Sequence, residues 1–414
     1  MEHVLVSSIE KALGWSGPKG LGAQFVRGAL PDAELCARIL NPNRLLDIIM
    51  RRSLSNPQLR VFQDGGEIHP ARFLDEGTSR RGQAVRMANM PRLASLMEDG
   101  CTIVLDGVDA FDPTMEVACR ALGWWSREHA RVNTYLTTGA TDGFPLHWDD
   151  HEVLVVQLAG EKSWEVRGQS RVAPMHRDAE RNNTPPDEII WQGTLKAGDV
   201  MNIPRGCWHR ATRADQGDGF SLHATFGFSK QTAVDWLTWA GDQARRDGLF
   251  RADLNRWGTR DVRQQESDTL KGAAMSLIEG YPVEDFLAER ERLRRVWRHV
   301  KTKSIFGTPD AVACITEFPP QFEQRSGRVL VTGAGKQIAF AEEALPALRL
   351  LLSGAPVDLT EVESATGVEV EGLAAVLIEE ELCAELTAEL RSGYTDLVMS
   401  GISSKELSLA GSVA

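Results

Sequence analysis

The spacing of apolar positions changes character three times along this chain. In PDAELCARILNPNRLLDIIM (31–50) they fall at helical intervals on either side of Pro42, which predicts one helix ending before the proline and a second beginning after it. PRLASLMEDG and DPTMEVACRALGW also read as helices, with CTIVLDGVD between them as a strand. From 131 to 228 the period shortens to that of strands, in RVNTYLTT, EVLVVQLAG, KSWEVRG, GDVMNIP and SLHATFGF. Turn signals such as AGEK and KAGD separate these runs, the rhythm of an all-β barrel or sandwich. In this reading EVLVVQLAG and KSWEVRG pair as a hairpin, with Lys162 at the start of its second strand. Helical spacing returns after 230, in WLTWAGDQARRDGLF and VEDFLAERERLRRVWRHV. A connector bearing Pro and Gly then leads to a short hairpin, RVLVTGAGKQIAF, and two helices, EEALPALRLLLSG and EVEGLAAVLIEEEL.

Composition narrows the classes. A chain of 414 residues predicts two to three domains, and 42% hydrophobic with 25% charged residues is ordinary for a globular protein. No segment reaches the roughly 18 to 20 uninterrupted apolar residues of a membrane-spanning helix. The acidic, weakly apolar start MEHVLVSSIE predicts no secretory signal. Six cysteines lie far apart with no C-x-x-C pair, as expected for reduced thiols in the cytoplasm. A net charge of −12 opposes nucleic-acid binding. So does the segment 361–390, which carries nine glutamates and no lysine or arginine.

The chemistry concentrates in FPLHWDDHE (144–152). In an extended chain i and i+2 share a face, so His147 and Asp149 can reach one metal ion. Alone, H-x-D is a weak signal. GDVMNIPRGCWH (198–209) adds a more specific one, G-x5-P-x-G-x2-H, with Gly198, Pro204, Gly206 and His209 in place. His147, Asp149 and His209 together make a 2-His-1-carboxylate set, which leaves open positions on a six-coordinate Fe(II).

These two motifs resemble those of the JmjC branch of the cupin fold, the iron- and 2-oxoglutarate-dependent oxygenases, and within it the ribosomal oxygenases. The resemblance implies an α+β chain: a double-stranded β-helix barrel in a catalytic domain at 1–229, a helical dimerisation region at 230–325, and a winged-helix-like C-terminal domain at 326–414. It implies Fe(II), 2-oxoglutarate and O2 as the reacting set, with succinate and CO2 released. Fifteen positions after the first histidine the family places a basic residue on the distal carboxylate of 2-oxoglutarate, here Lys162. Asn133, Tyr135 and Thr225 stand where co-substrate contacts are expected. The implied partner is a protein or peptide substrate, a histidine or arginine of a ribosomal protein foremost. No DNA and no membrane partner are implied, the expected assembly is a homodimer, and the expected compartment is the cytoplasm.

Alternatives remain open: the same chemistry on a biosynthetic precursor peptide or small natural product, a metallo-cupin that is not an oxygenase, or an inactive binding module. The chain departs from the generic cupin motif H-x3-N with Arg213 at the last position. Several further expectations concern the surroundings. Asp149, Asp150, Glu152 and Glu161 predict an acidic mouth that favours a cationic partner. Trp208 is a candidate for lining that mouth, and His151 for a substrate-side or supporting role. His223 reads as a satisfied core histidine. Val283, Phe286, Leu287, Leu293 and Val296 recur on one helical face, and Trp236 and Trp239 add a second apolar surface for dimerisation.

Overall fold

The computed structural model describes residues 1–139, 143–177, 181–212, 219–296, 298–302 and 305–399. The helices near the N-terminus are set by local chemistry. Pro42 is the first residue of the helix Pro42–Arg51, and the Asn41 side chain caps it by accepting from the Arg44 N–H at 3.0 Å. Asp112 and Pro113 repeat the device at Pro113–Ser126, where Asp112 accepts from the Met115 N–H at 3.0 Å. No described helix is long and apolar enough to cross a membrane. All six cysteines are free and buried, and burial pushes the thiols of Cys36, Cys101 and Cys207 up to about 11.

A ten-stranded antiparallel sheet organises the first half of the chain. Phe220–Ser229 lies between His129–Thr138 and Glu152–Gln169, and Asp199–Ile203 flanks the latter. Thr102–Leu105 and Leu59–Gln63 extend the sheet beyond His129–Thr138. Two further strands, Ile189–Lys196 and Cys207–Thr212, pair only with the distal half of Glu152–Gln169. Val153, Val155, Trp164, Val166, Leu195, Met201 and Ile203 fill the space between the two parts. Each side chain fully buried there contributes about 1.5–3 kcal/mol relative to exposure.

The expected hairpin at AGEK is not one. Glu152–Gln169 is a single strand of 18 residues that bends at Gly160 and continues from one half of the barrel into the other. Gly160 has φ +61, and a Cβ there would stand 2.1 Å from the Phe220 carbonyl oxygen, so only glycine allows the close strand approach at the bend. A turn-like tetrapeptide thus redirects the strand instead of reversing it. His209 lies on the strand Cys207–Thr212.

Beyond the barrel the chain is helical at Ala233–Gln243, Arg260–Gly280 and Val283–Leu293. The last of these was expected to run through 300; it ends at Leu293, with Phe286 its buried anchor, and Val296 lies past its end. Trp236 and Trp239 are turned partly inward: Trp236 donates to the Tyr281 carbonyl at 2.9 Å, and the Trp239 ring packs on Tyr281 and Phe286, each at 5.5 Å. The 21-residue helix Arg260–Gly280, not marked by the apolar pattern, buries none of its residues. In the terminal region Ala311–Cys314 pairs with Pro356–Asp358 and Cys383–Glu385, and the helices Leu345–Leu351, Leu359–Thr366 and Glu371–Glu379 pack with this sheet over one apolar core. Ala311–Cys314 thus joins the sheet of the terminal region, because a strand belongs to the sheet that satisfies its backbone.

Candidate active site

His147 and His209 face each other as an isolated antiparallel bridge. His209 N–H donates to the His147 carbonyl at 2.7 Å, and His147 N–H returns to the His209 carbonyl at 3.1 Å. The Asp149 carbonyl accepts from the Gly206 N–H at 2.9 Å, so the two motifs hold one another through backbone. One ligand atom from each of His147, Asp149 and His209 lies within 4.8 Å of the others.

The donor set fits a divalent metal. His147 Nδ1–H donates to the Pro145 carbonyl at 2.9 Å and His209 Nδ1–H to the Cys207 carbonyl at 3.0 Å, which fixes both tautomers and leaves each Nε2 lone pair for a metal. Burial raises the Asp149 carboxyl, but the charges of His209, His151, His147 and His176 outweigh it and hold the group below the usual carboxylate range. Burial, with the neighbouring His147, pushes the His209 imidazole down to about 4. At neutral pH the set is ready as a carboxylate and a neutral imidazole, the states that metal binding requires.

The triad opens into a cavity of about 820 Å³. His129, Arg131, Asn133 and Tyr135 all line it, because odd-numbered positions of His129–Thr138 share one face. Lys162, 2% exposed, also lines it and donates from Nζ to the Thr137 hydroxyl at 2.8 Å. Tyr135 stacks on His223 with ring centroids 4.7 Å apart, and burial, with Asp106 and Asp149, raises its hydroxyl pKa. Asn133 Oδ1 accepts from the Gly107 N–H at 2.9 Å. Thr225, in register with Asn133, lines the cavity as well. All seven candidate residues thus border one space. Thr137, which meets Lys162, was missed: a threonine in RVNTYLTT carries no signal of its own until Lys162 is folded against it.

The surroundings differ from expectation. His223 is buried but not satisfied, since its Nδ1 has no hydrogen-bond partner among the described residues, and burial, with the charge of Lys162, holds its pKa well below 6.5. It lines the cavity instead of the core. Trp208 does not reach the mouth; it is buried and donates to the Ser170 hydroxyl at 2.8 Å. Trp164 lines the cavity between the His209 and His223 rings. His151 lies on the cavity wall beside Gly227. The acidic mouth is overturned. Glu152 is buried against the Arg205 N–H at 2.8 Å and Lys230 at 3.7 Å, Glu161 pairs with Lys196, and Asp150 faces His151 and His176. Only Asp149 of the four lines the cavity, whereas Arg60, Arg131, Arg290 and Arg294 all do. Arg213 lies outside the described residues.

Residues 112–236 match the family model described as JmjC domain. Ribosomal oxygenase 1 of Gallus gallus is 32% identical over 168 residues, which is 39% of this chain and 28% of the relative. A bifunctional lysine-specific demethylase and histidyl-hydroxylase NO66 of Drosophila simulans is 31% identical over 150 residues, 34% of this chain and 17% of the relative. The chain therefore spans less than a third of the length of the curated relatives it matches. Among solved structures, E. coli YcfD shares the fold, with a TM-score of 0.54 at 16% identity over 88% of this chain and 95% of that one.

Proposed function

We propose that this chain, whose residues 112–236 are a JmjC domain and which is similar to the ribosomal oxygenases, is an Fe(II)- and 2-oxoglutarate-dependent oxygenase. The observation that carries the reading is the placement of His147, Asp149 and His209 in one cavity with the buried ammonium of Lys162. The two Nε2 atoms and the Asp149 carboxylate would hold the metal, and Lys162 would take the distal carboxylate of 2-oxoglutarate. Bound there, iron and 2-oxoglutarate supply the oxidation that places one oxygen atom of O2 in a substrate C–H bond, with succinate and CO2 as the other products.

The chain's own residues set the conditions. Pro145 and Cys207 carbonyls keep the imidazole Nδ1 protons in place, so neither ring can turn its lone pair away. Tyr135 stays protonated and can donate to a carboxylate oxygen, and Asn133, fixed by the Gly107 N–H, offers its amide N–H2 to the same ligand. Thr225 borders it from the neighbouring strand. Val153, Val155 and Trp164 give the cavity apolar walls that limit water around the reacting atoms.

The substrate in this reading is a side chain of a protein or peptide, a ribosomal protein first, as the names of the relatives indicate. Of histidine and arginine, the arginines at the mouth favour histidine, since a second guanidinium would enter against like charge. The helices within 230–325 are read as a dimerisation region. Support comes from Arg260–Gly280, none of whose residues is fully buried, and from Trp257, Leu254 and Met275, which are 90%, 74% and 65% exposed. Residues 326–414, described to 399 and joined in their sheet by the strand Ala311–Cys314, are read as winged-helix-like and as a protein-docking unit rather than a DNA reader, because nine glutamates at 361–390 repel phosphate. The catalytic unit is 1–229, and the compartment is cytoplasmic, in keeping with six free thiols. The test is incubation with Fe(II), 2-oxoglutarate and peptides from ribosomal proteins, with mass spectrometry for a gain of one oxygen. Succinate release that no peptide stimulates, with no modified peptide, refutes the substrate class.

A further inference from the structure

The strand His129–Thr138 measures the depth of the cavity. Thr137 meets Lys162 at one end, Asn133 is in register with Thr225, and Arg131 stands one repeat of about 6.7 Å further from Lys162, in register with Gly227. His151 packs against Gly227 at the same level: a Cβ on that glycine would stand 2.8 Å from the imidazole. Arg290, on Val283–Leu293, and Arg294, just past its end, reach this cavity from the helical region, and Arg60 reaches it from Leu59–Gln63.

Four guanidiniums therefore line a cavity whose described carboxylates are Asp106 and Asp149. Asp149 belongs to the triad, and Asp106 is engaged with Arg60 at 2.8 Å. Arg294 lies 3.5 Å from Glu317, which also accepts from His129. Arg131 and Arg290 have no carboxylate partner among the described residues. The His129 ring, anchored on Glu317 through Nδ1, accepts from Arg131 Nε at 2.8 Å; this orients the guanidinium and leaves its Nη groups to an incoming ligand. Arg290 lies over the Phe286 ring, 5.9 Å from its centroid. A chain with net charge −12 thus presents two oriented cations, without a carboxylate partner among the described residues, on the wall of the cavity that holds its triad. Planar guanidiniums of this kind match carboxylates through paired N–H donors.

We propose that the substrate docks through a carboxylate held by Arg131 and Arg290, next to the carbon presented to the triad. In a peptide the carboxylate belongs to an acidic residue close to the modified one, or to the chain's own C-terminus. The inference rests on the oxygenase reading and specifies its substrate class. The net acidity of the rest of the chain works against such a ligand, so selection for it is a property of the mouth.

The test uses the full chain loaded with Mn(II) and 2-oxoglutarate without oxygen. Three octapeptide pools of otherwise neutral residues are added: one capped and bearing two glutamates, one capped and bearing two lysines, and one with a free C-terminal carboxylate. Manganese-induced relaxation of peptide protons reports only peptides that enter the cavity. The glutamate pool or the free-acid pool is expected to need about tenfold less protein than the lysine pool for equal relaxation, the effect of one charge-assisted contact. Whichever acidic pool responds identifies the source of the carboxylate, and Arg131→Gln with Arg290→Gln should remove the preference. Equal behaviour of all pools, a lysine preference, or a preference that survives in the double variant overturns the proposal. Manganese binding that is absent, or unchanged in His147→Ala, overturns the oxygenase reading and this inference with it.

Discussion

Replacing Lys162 by methionine keeps most of its stem and removes the ammonium that the oxygenase reading assigns to 2-oxoglutarate. The side chain is 2% exposed and donates to the Thr137 hydroxyl at 2.8 Å, so a carboxylate received there is shielded from water. A hydrogen bond to a charged group contributes about 1.5–3 kcal/mol, and its loss weakens binding about 10- to 150-fold. The consequence can be read without turnover. With Mn(II) present and 2-oxoglutarate at a hundred times the wild-type Kd, the co-substrate stabilises the wild type by about 2.7 kcal/mol. At the same concentration the Met variant gains only about 0.3–1.4 kcal/mol. Denaturation of each protein with and without 2-oxoglutarate gives both increments, and since each protein is its own reference, any change in baseline stability cancels. Lys162→Arg should retain more of the increment than Lys162→Met. An increment in the Met variant equal to that of the wild type would remove Lys162 from the co-substrate site.

Other outcomes follow from the same structure. His147→Ala and Asp149→Ala each remove one of the three side chains proposed to hold the metal and should lower metal affinity by more than about 100-fold with the fold retained; calorimetric titration with Mn(II) checks this, and near wild-type affinity refutes the assignment. His3 caps the helix Val4–Leu13 by accepting from the Leu5 N–H at 3.1 Å, and burial, with the charge of Arg38, lowers its pKa to about 3 from 6.5. The unfolded chain therefore binds the proton first, and this contribution to stability is complete above about pH 6.5 and is lost as pH falls toward 3. His3→Asn keeps a capping oxygen and should reduce the slope of stability against pH by up to one proton, about 1.4 kcal/mol per pH unit, between pH 6 and 4; an unchanged slope in urea titrations refutes it. Gly160→Ala forces a Cβ to within 2.1 Å of the Phe220 oxygen at φ +61 and should destabilise by more than about 3 kcal/mol; a melting temperature within a degree or two of wild type would contradict the bend. Light scattering at micromolar concentration should report a dimer, and a monomer at moderate salt would defeat the reading of Arg260–Gly280 as part of an interface.

The sequence by itself determined the local elements and which side chains share a face. Period-2 spacing set the runs of 131–228 apart as strands, Pro42 separated two helices, and H-x-D with Pro-x-Gly-x2-His marked side chains that the fold brings within 4.8 Å. These features are written in a few consecutive residues, so they can be read without knowing what packs against them. Tertiary structure decided the rest. AGEK carries a turn signature, yet its backbone groups find partners on other strands, so Glu152–Gln169 bends at Gly160 and carries Lys162 into the barrel beside Thr137. The sign of charge at the mouth was likewise illegible. Glu152 and Glu161 are near His147 in sequence but are turned to Lys230 and Lys196, while Arg60, Arg290 and Arg294 arrive from positions about 80 to 150 residues away. Periodicity says which side of a strand a residue occupies; only the pairing of distant segments decides what that side meets.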